Sequence, residues 1–495
     1  MKGIHPYKKD AKLISLIAAG LILAALAAGC NQSVNTETSG LIVKFSVEGE
    51  HGTLEATVNG QPFTSGNAVQ KDETVVFTAK PKLGYTVDTW TVNGVEVPNE
   101  GTTYRHTATA AVSVKVSFTP NHTIRFTAVG NGSVTPDITI PDDNKVAEGT
   151  VITFTASADP GYEIDKWIVL PKKALQEGGA GGGTTGTAKV IVNAKTTVTV
   201  TFKPDDKTYT VGDIDFVMKG IAAVKDGEIG DNLGLDNDVR KVSLTAYLIG
   251  ETEVTQELWQ KVMGSNPSFF DNTTDKKWFS DTYNTAPASG EVQEKRPVED
   301  INWYQAIAFC NKLSIACHLE PCYEVNGVDF TTLTFDAIPT SKNKKDHTEW
   351  DKVKVSMDKK GFRLPTEAEW EWAGKGGSQD AWAEICENDK REEYEWYDKN
   401  SDKKTHQVKL KKPNDYGLYD TNGNVMERCW DWYGEDGKTP AGGQDPLGAN
   451  TGSKRTVRGN HWNSTISDED DYSMRFCGEP IYGSPRSGLR VVIRP

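Results

Sequence analysis

Seven cysteines and eight histidines are the residues of this 495-residue chain best suited to redox or metal chemistry, and their spacing argues against a preformed centre. Cys310, Cys317, Cys322, Cys386, Cys429 and Cys477 contain no CxxC pair, and no Cys/His cluster has zinc spacing. His318, His347, His406 and His461 are isolated in sequence. No nucleophile elbow, phosphate loop or general acid–base pair is present as a motif. The remaining candidate is a run with no helical or strand period, between TVRG (Thr456–Gly459) and GLRVV (Gly488–Val492). It carries Asn460, His461, Asn463, Ser464, Asp468, Asp470, Asp471, Tyr472, Ser473, Phe476, Ile481, Tyr482 and Ser484. Aromatic rings for contact area and short polar side chains for adaptable hydrogen bonds are the chemistry of a binding surface. On the residues alone, an active site, a binding surface and a plain loop all stay open.

The elements that must position this run are legible from about Lys207 onward. FVMKGI (Phe216–Ile221) and KVSLTAYLIG (Lys241–Gly250) read as strands. VTQELWQKVMG (Val254–Gly264) reads as a helix capped by Thr255 and ended by Gly264. NWYQAIAFCNKLS (Asn302–Ser314) has apolar residues at helical spacing. In RLPTEAEWEWAGKGG, Thr366 and Glu369 form a capping box and Gly374 ends the helix. Upstream lies a repeat: VVFTAKPKLGYTVDTWTVNG (Val75–Gly94) recurs as ITFTASADPGYEIDKWIV (Ile152–Val169). Phe77, Tyr85 and Trp90 match Phe154, Tyr162 and Trp167. Each copy closes on alternating apolar residues, Val112–Phe118 and Thr196–Phe202, the period of half-buried strands. The aromatics are expected to fill the core of each small sheet, and GGAGGGTTG (Gly178–Gly186) reads as a flexible loop tip.

Net charge is −14, with 37% hydrophobic and 25% charged residues. A nucleic-acid partner would need a basic face, so none is expected. At the N-terminus, Lys8, Lys9 and Lys12 precede the apolar run Leu13–Ala28, which is short for a membrane span. A basic start, an apolar middle and small residues at the end make an export signal.

Several stretches resemble known families. LAAGC (Leu26–Cys30) is similar to a bacterial lipoprotein box, which implies cleavage before Cys30 and lipidation there. Two or more acyl chains anchor stably, so the mature chain is expected to sit on the bacterial cell envelope, at the outer membrane surface, with 30–40 as a polar tether. The GYxxDxW core of the repeats resembles divergent internalin B-type repeats, which implies β-modules at 41–120 and 121–204 serving as a spacer. IGETEVTQELWQKVMG, RPVEDINWYQAIAFCNKLS, GFRLPTEAEWEWAGKGG, GLYDTNGNVMERCWDWY, TVRG and GLRVV, in this order, resemble the formylglycine-generating-enzyme (sulfatase-modifying factor) family. That likeness covers 207–495 and implies an α+β domain of C-type-lectin-like fold. The whole is thus a multidomain chain: two small β-repeat modules, then this head.

The family enzyme oxidises a substrate cysteine through copper held by two thiolates. Those positions fall here near Ser464 and between Ser467 and Glu469, and none of Asn463–Phe476 is a cysteine. Hydroxyls and carboxylates do not hold Cu(I) as paired thiolates do, so no copper and no catalysis are expected. The resemblance also implies a structural calcium site on DTNGNVMERC, with Asp420 and Glu427 as carboxylate ligands and Gly423 and Val425 as backbone carbonyls. The closing run further resembles the variable proteins of diversity-generating retroelements, including a treponemal variable lipoprotein, in which Asn codons scatter to Asp, His, Tyr, Ser, Phe and Ile. Trp462, Arg475, Gly488 and Arg490 are then scaffold. The expected function is display of a ligand-binding head, toward a protein or glycan at the cell surface. The alternative is an exported oxidoreductase acting on a peptide or small thiol.

Overall fold

The computed structural model describes residues 40–98, 101–230, 237–377, 390–434, 442–465 and 474–495. Cys30 and Cys386 therefore lie outside the described residues, as do Asp468, Asp470, Asp471, Tyr472 and Ser473. The chain divides into two compact units, one reaching Leu83 and adding Val87–Phe118, the other comprising Gly84–Thr86 and Thr119–Pro495.

In the first unit, Leu41–Glu48 runs parallel to the start of Val112–Val129, and Gly52–Val58 pairs antiparallel with Thr74–Pro81. The alternation in VSVKVSF buries Val112, Val114, Val116 and Phe118, as a period of two requires. Phe77 and Trp90 are fully buried, with Tyr104 against both rings. The Trp90 indole N–H donates to Gly101 O at 3.0 Å, so the largest core side chain leaves no polar atom unsatisfied.

The second unit opens with the other repeat. Thr150–Ala158 pairs with Thr185–Val192, and Tyr162–Leu170 with Thr196–Pro204, all antiparallel. Here Phe154 and Ile164 are fully buried but Trp167 is only half-buried, and its indole nitrogen has no hydrogen-bond partner. The equivalent indole thus leaves the core centre to Phe154, Phe202 and aliphatic residues. The glycine-rich insert is also not a free tip. Gly182 N–H donates to Ile164 O and Ile164 N–H donates to Gly183 O, so the insert folds back onto the strand carrying Trp167. Close approach explains the composition, since a Cβ at Gly181 would sit 2.2 Å from Asp165 O.

The head from Lys207 onward is α+β. One antiparallel sheet joins Lys207–Val211, Ile214–Ile221, Tyr247–Gly250 and Val492–Ile493, so the start and end of the head are adjacent. Helix α1 (Gln256–Met263) begins where Thr255 accepts from Leu258 N–H, and ends at left-handed Gly264. Helix α2 (Trp303–Ala316) opens with a capping box between Asn302 and Gln305. A short helix α3 (Thr348–Asp351) follows, then α4 (Glu367–Gly374) with the Thr366/Glu369 capping box. Trp259 of α1 stacks on Phe309 of α2 at 4.9 Å, and both are fully buried.

A second sheet, in the order Arg475–Gly478, Arg455–Arg458, Met426–Trp432, Ser487–Gly488, frames the closing segment. Two sequence expectations change here. GLRVV is not one strand: Ser487–Gly488 pairs with Met426–Glu427, while Val492–Ile493 crosses to Leu248–Ile249. The apparently irregular run also contains a strand, Arg475–Gly478, which pairs with Arg455–Arg458. It is too short, at four residues, to show a period.

Candidate functional site

The closing segment is held by buried charge pairs. Arg490 Nε donates to both Glu427 oxygens at 3.0 Å, and its Nη2 to Oε1 at 2.8 Å. Arg475 Nε donates to Glu367 Oε1 at 2.6 Å. Trp462 is fully buried against Phe269, Phe270 and Tyr283, and its indole N–H donates to Pro485 O. A Cβ at Gly488 would meet Val298 O at 2.5 Å. The four residues read as scaffold are all committed to packing or pairing.

The candidate contact residues divide. Asn460 and His461 are buried, at 4% and 9% exposure. This corrects their assignment to a binding surface. Insertion of Trp462 into the aromatic cluster draws both inward. Asn460 N–H donates to Asn422 Oδ1, and His461 Nδ1 accepts from Asn463 N–H. Burial, then the nearby Arg486 cation, pushes the His461 pKa down to about 3, so its imidazole is neutral. Asn463, Ser464, Phe476, Ile481 and Ser484 are half-buried, and Tyr482 is 54% exposed. Ser464 Oγ accepts from His461 N–H, and Ser484 O accepts from Asp300 N–H.

Two cavities meet at Ile481. One of about 360 Å³ is lined by Pro267, Asp300, Phe335, Lys342, Ile481 and Gly483. The other, of about 490 Å³, involves Tyr304, His347, Asp351, Trp432 and Glu479. Apart from Ile481, none of these is among the sequence candidates. Asp300 and Tyr304 were visible only inside the family-like stretch RPVEDINWYQAIAFCNKLS, and His347 only as an isolated histidine. One structural signal does mark Asp300, its left-handed backbone at φ 56°.

The thiols offer no paired redox centre among the described residues. Cys310, Cys317, Cys322, Cys429 and Cys477 are all free. Burial pushes the Cys310 and Cys429 thiols up, which keeps them protonated. His406 is placed structurally, between Glu291 Oε1 and Ser401 O and stacked on Trp396 at 3.8 Å. The DTNGNVMERC turn does not fit calcium as arranged. Both Glu427 oxygens accept from Arg490, and Oε2 also from the Trp370 indole. Val425 N–H donates to Glu253 Oε1, and Asp420 Oδ2 accepts from Lys409 N–H. Asp420 Oδ1 alone of these carboxylate oxygens is buried without a donor, whereas calcium takes about six to eight oxygens. Burial pushes Asp420 up to about 6.

With this geometry in place, comparison with known proteins is specific. Residues 201–495 match the Sulfatase-modifying factor enzyme 1-like domain, and 47–122 and 122–206 match the Divergent InlB B-repeat domain. The chain belongs to the sulfatase-modifying factor family through its head, carried behind two InlB-type repeats. A solved structure, Treponema denticola variable protein 1, is 50% identical with a TM-score of 0.52, covering 59% of this chain and 100% of that one. The protein Chaperone protein LppX of Paenibacillus barcinonensis is 32% identical over 271 residues, 51% of this chain and 82% of its own length. The Formylglycine-generating enzyme of Thermomonospora curvata is 31% identical over 166 residues, 30% of this chain and 55% of that enzyme.

Proposed function

We propose that the chain is a lipid-anchored bacterial surface protein whose head binds a ligand, without catalysis, through the surface around its closing segment. The observation that carries this reading is Ile481, which lines two cavities and is followed in the chain by exposed Tyr482. The family enzyme's copper needs paired thiolates, and Ser464 occupies one of the corresponding stretches with its hydroxyl already accepting from His461 N–H. Likeness to a variable protein of Treponema denticola supports display of a recognition surface, and retroelement variation of closing-segment residues other than the scaffold Trp462 and Arg475 and the buried Asn460 and His461 is part of the proposal. Partners are a protein or glycan at the cell surface.

Surface aromatics dominate such contacts. Replacing Tyr482 by Ala should weaken capture of a ligand selected from surface extracts by about tenfold or more. The same variant should leave the melting temperature within about 2 °C of the parent, because the ring is more than half exposed. Unchanged capture, or a large fall in melting temperature, would contradict a contact role.

A further inference from the structure

The larger cavity beside Ile481 has its own chemistry. It is built from elements far apart in sequence: Tyr304 of α2, His347 and Asp351 at the two ends of α3, Trp432 ending its strand, and Glu479 with Ile481 from the closing segment. The Tyr304 hydroxyl donates to Asp351 Oδ1, and His347 Nδ1–H donates to Asp351 Oδ2 at 2.9 Å. Donors from two elements therefore fix one carboxylate in orientation, and each oxygen keeps a further lone pair. Burial and the Asp351 carboxylate push the Tyr304 phenol upward, so it stays a donor. Glu479 adds a second, exposed carboxylate.

The charged lining is thus dominated by acceptors, and Trp432 and Ile481 supply apolar wall for a hydrocarbon stem. The fold already seats one cation against the same indole. Buried Arg455 lies 3.4 Å from the Trp432 ring centre and 3.8 Å from that of Trp303, and donates to Trp430 O. Arg455 is outside the cavity lining but feels the Asp351 charge, so a second cation would share Asp351 with it and have Glu479 as its own carboxylate.

We propose that this cavity takes an alkyl-guanidinium or alkyl-ammonium group, the side chain of an arginine or lysine on a protein partner, between Asp351 and Glu479. The inference rests on reading this end of the head as a binding face, and it names the chemistry of one fixed part of that face.

The test is calorimetric titration of the full chain at low salt with acetyl-arginine amide, its neutral isostere acetyl-citrulline amide, agmatine, and the blocked tripeptide Gly-Arg-Gly. The arginine compounds should bind saturably, and the citrulline compound about tenfold more weakly or worse, because a charged hydrogen bond is lost. Asp351→Asn and Glu479→Gln should each weaken the tripeptide by a similar factor. Glu479 is exposed, so its variant reports on binding with the fold intact. Tyr482-dependent capture is scored separately from these titrations, so their failure with capture intact overturns this inference alone. Equal binding of arginine and citrulline compounds, no binding of either, or insensitivity to both acidic substitutions would overturn the proposal. Agmatine binding without tripeptide binding would overturn the protein source of the cation.

Discussion

Glu427 and Arg490 show how far a residue's surroundings decide its role. In sequence, Glu427 sits in a turn whose resemblance implies a calcium ligand; in the fold its carboxylate faces a guanidinium that is itself fully buried. Removing one member of such a pair leaves an uncompensated charge. Glu427→Ala should therefore lower stability in a denaturant melt by about 3 to 5 kcal/mol, toward the lower end because Glu253 and Asp420 also act on Arg490. EDTA should leave the unmutated protein's midpoint unchanged, and a clear drop would restore the cation. His461 gives a pH prediction. Unfolded, it titrates near about 6.5; folded, near about 3. Between those values the unfolded chain binds a proton that the folded chain does not. Its contribution is complete above the upper value and is lost as pH falls toward the lower. Buried Glu299 and Asp420, pushed up to about 8 and about 6, act in the opposite direction. The comparison with His461→Asn isolates the imidazole. Between pH 6.5 and 4.5 the parent should lose about 2 to 3 kcal/mol more than the variant.

At the scale of elements, what the sequence disclosed follows the strength of local signals. The capped helices α1, α2 and α4 were legible because Thr255, Asn302 and Thr366 satisfy backbone donors within one turn. The alternating valines of the repeats were equally plain. The strand Arg475–Gly478 was hidden, since four residues paired to a distant strand carry no period. The same limit applies to the candidate site. Polar and aromatic composition pointed to the closing segment, yet could not separate inward Asn460 and His461 from outward Tyr482, because that division depends on Trp462 entering a cluster formed by Phe269, Phe270 and Tyr283. The Tyr304–His347–Asp351 arrangement was invisible for a related reason, as two elements some forty residues apart meet there.

The whole molecule carries a sulfatase-modifying-factor head behind two InlB-type repeats. The described residues include no helix long and apolar enough to cross a membrane; the anchor proposed here is lipid on Cys30. Cys30→Ser should move the chain from the membrane fraction to the soluble envelope fraction and abolish acyl labelling, with retention in the membrane contradicting the anchor. The central claim is that the head keeps an enzyme's frame for contact alone. It is tested most directly by oxygen uptake of the purified chain, supplied with copper and a cysteine-bearing peptide. The account predicts uptake no greater than that of the same copper and peptide without protein. Saturable, catalytic oxygen consumption that depends on the chain would contradict it.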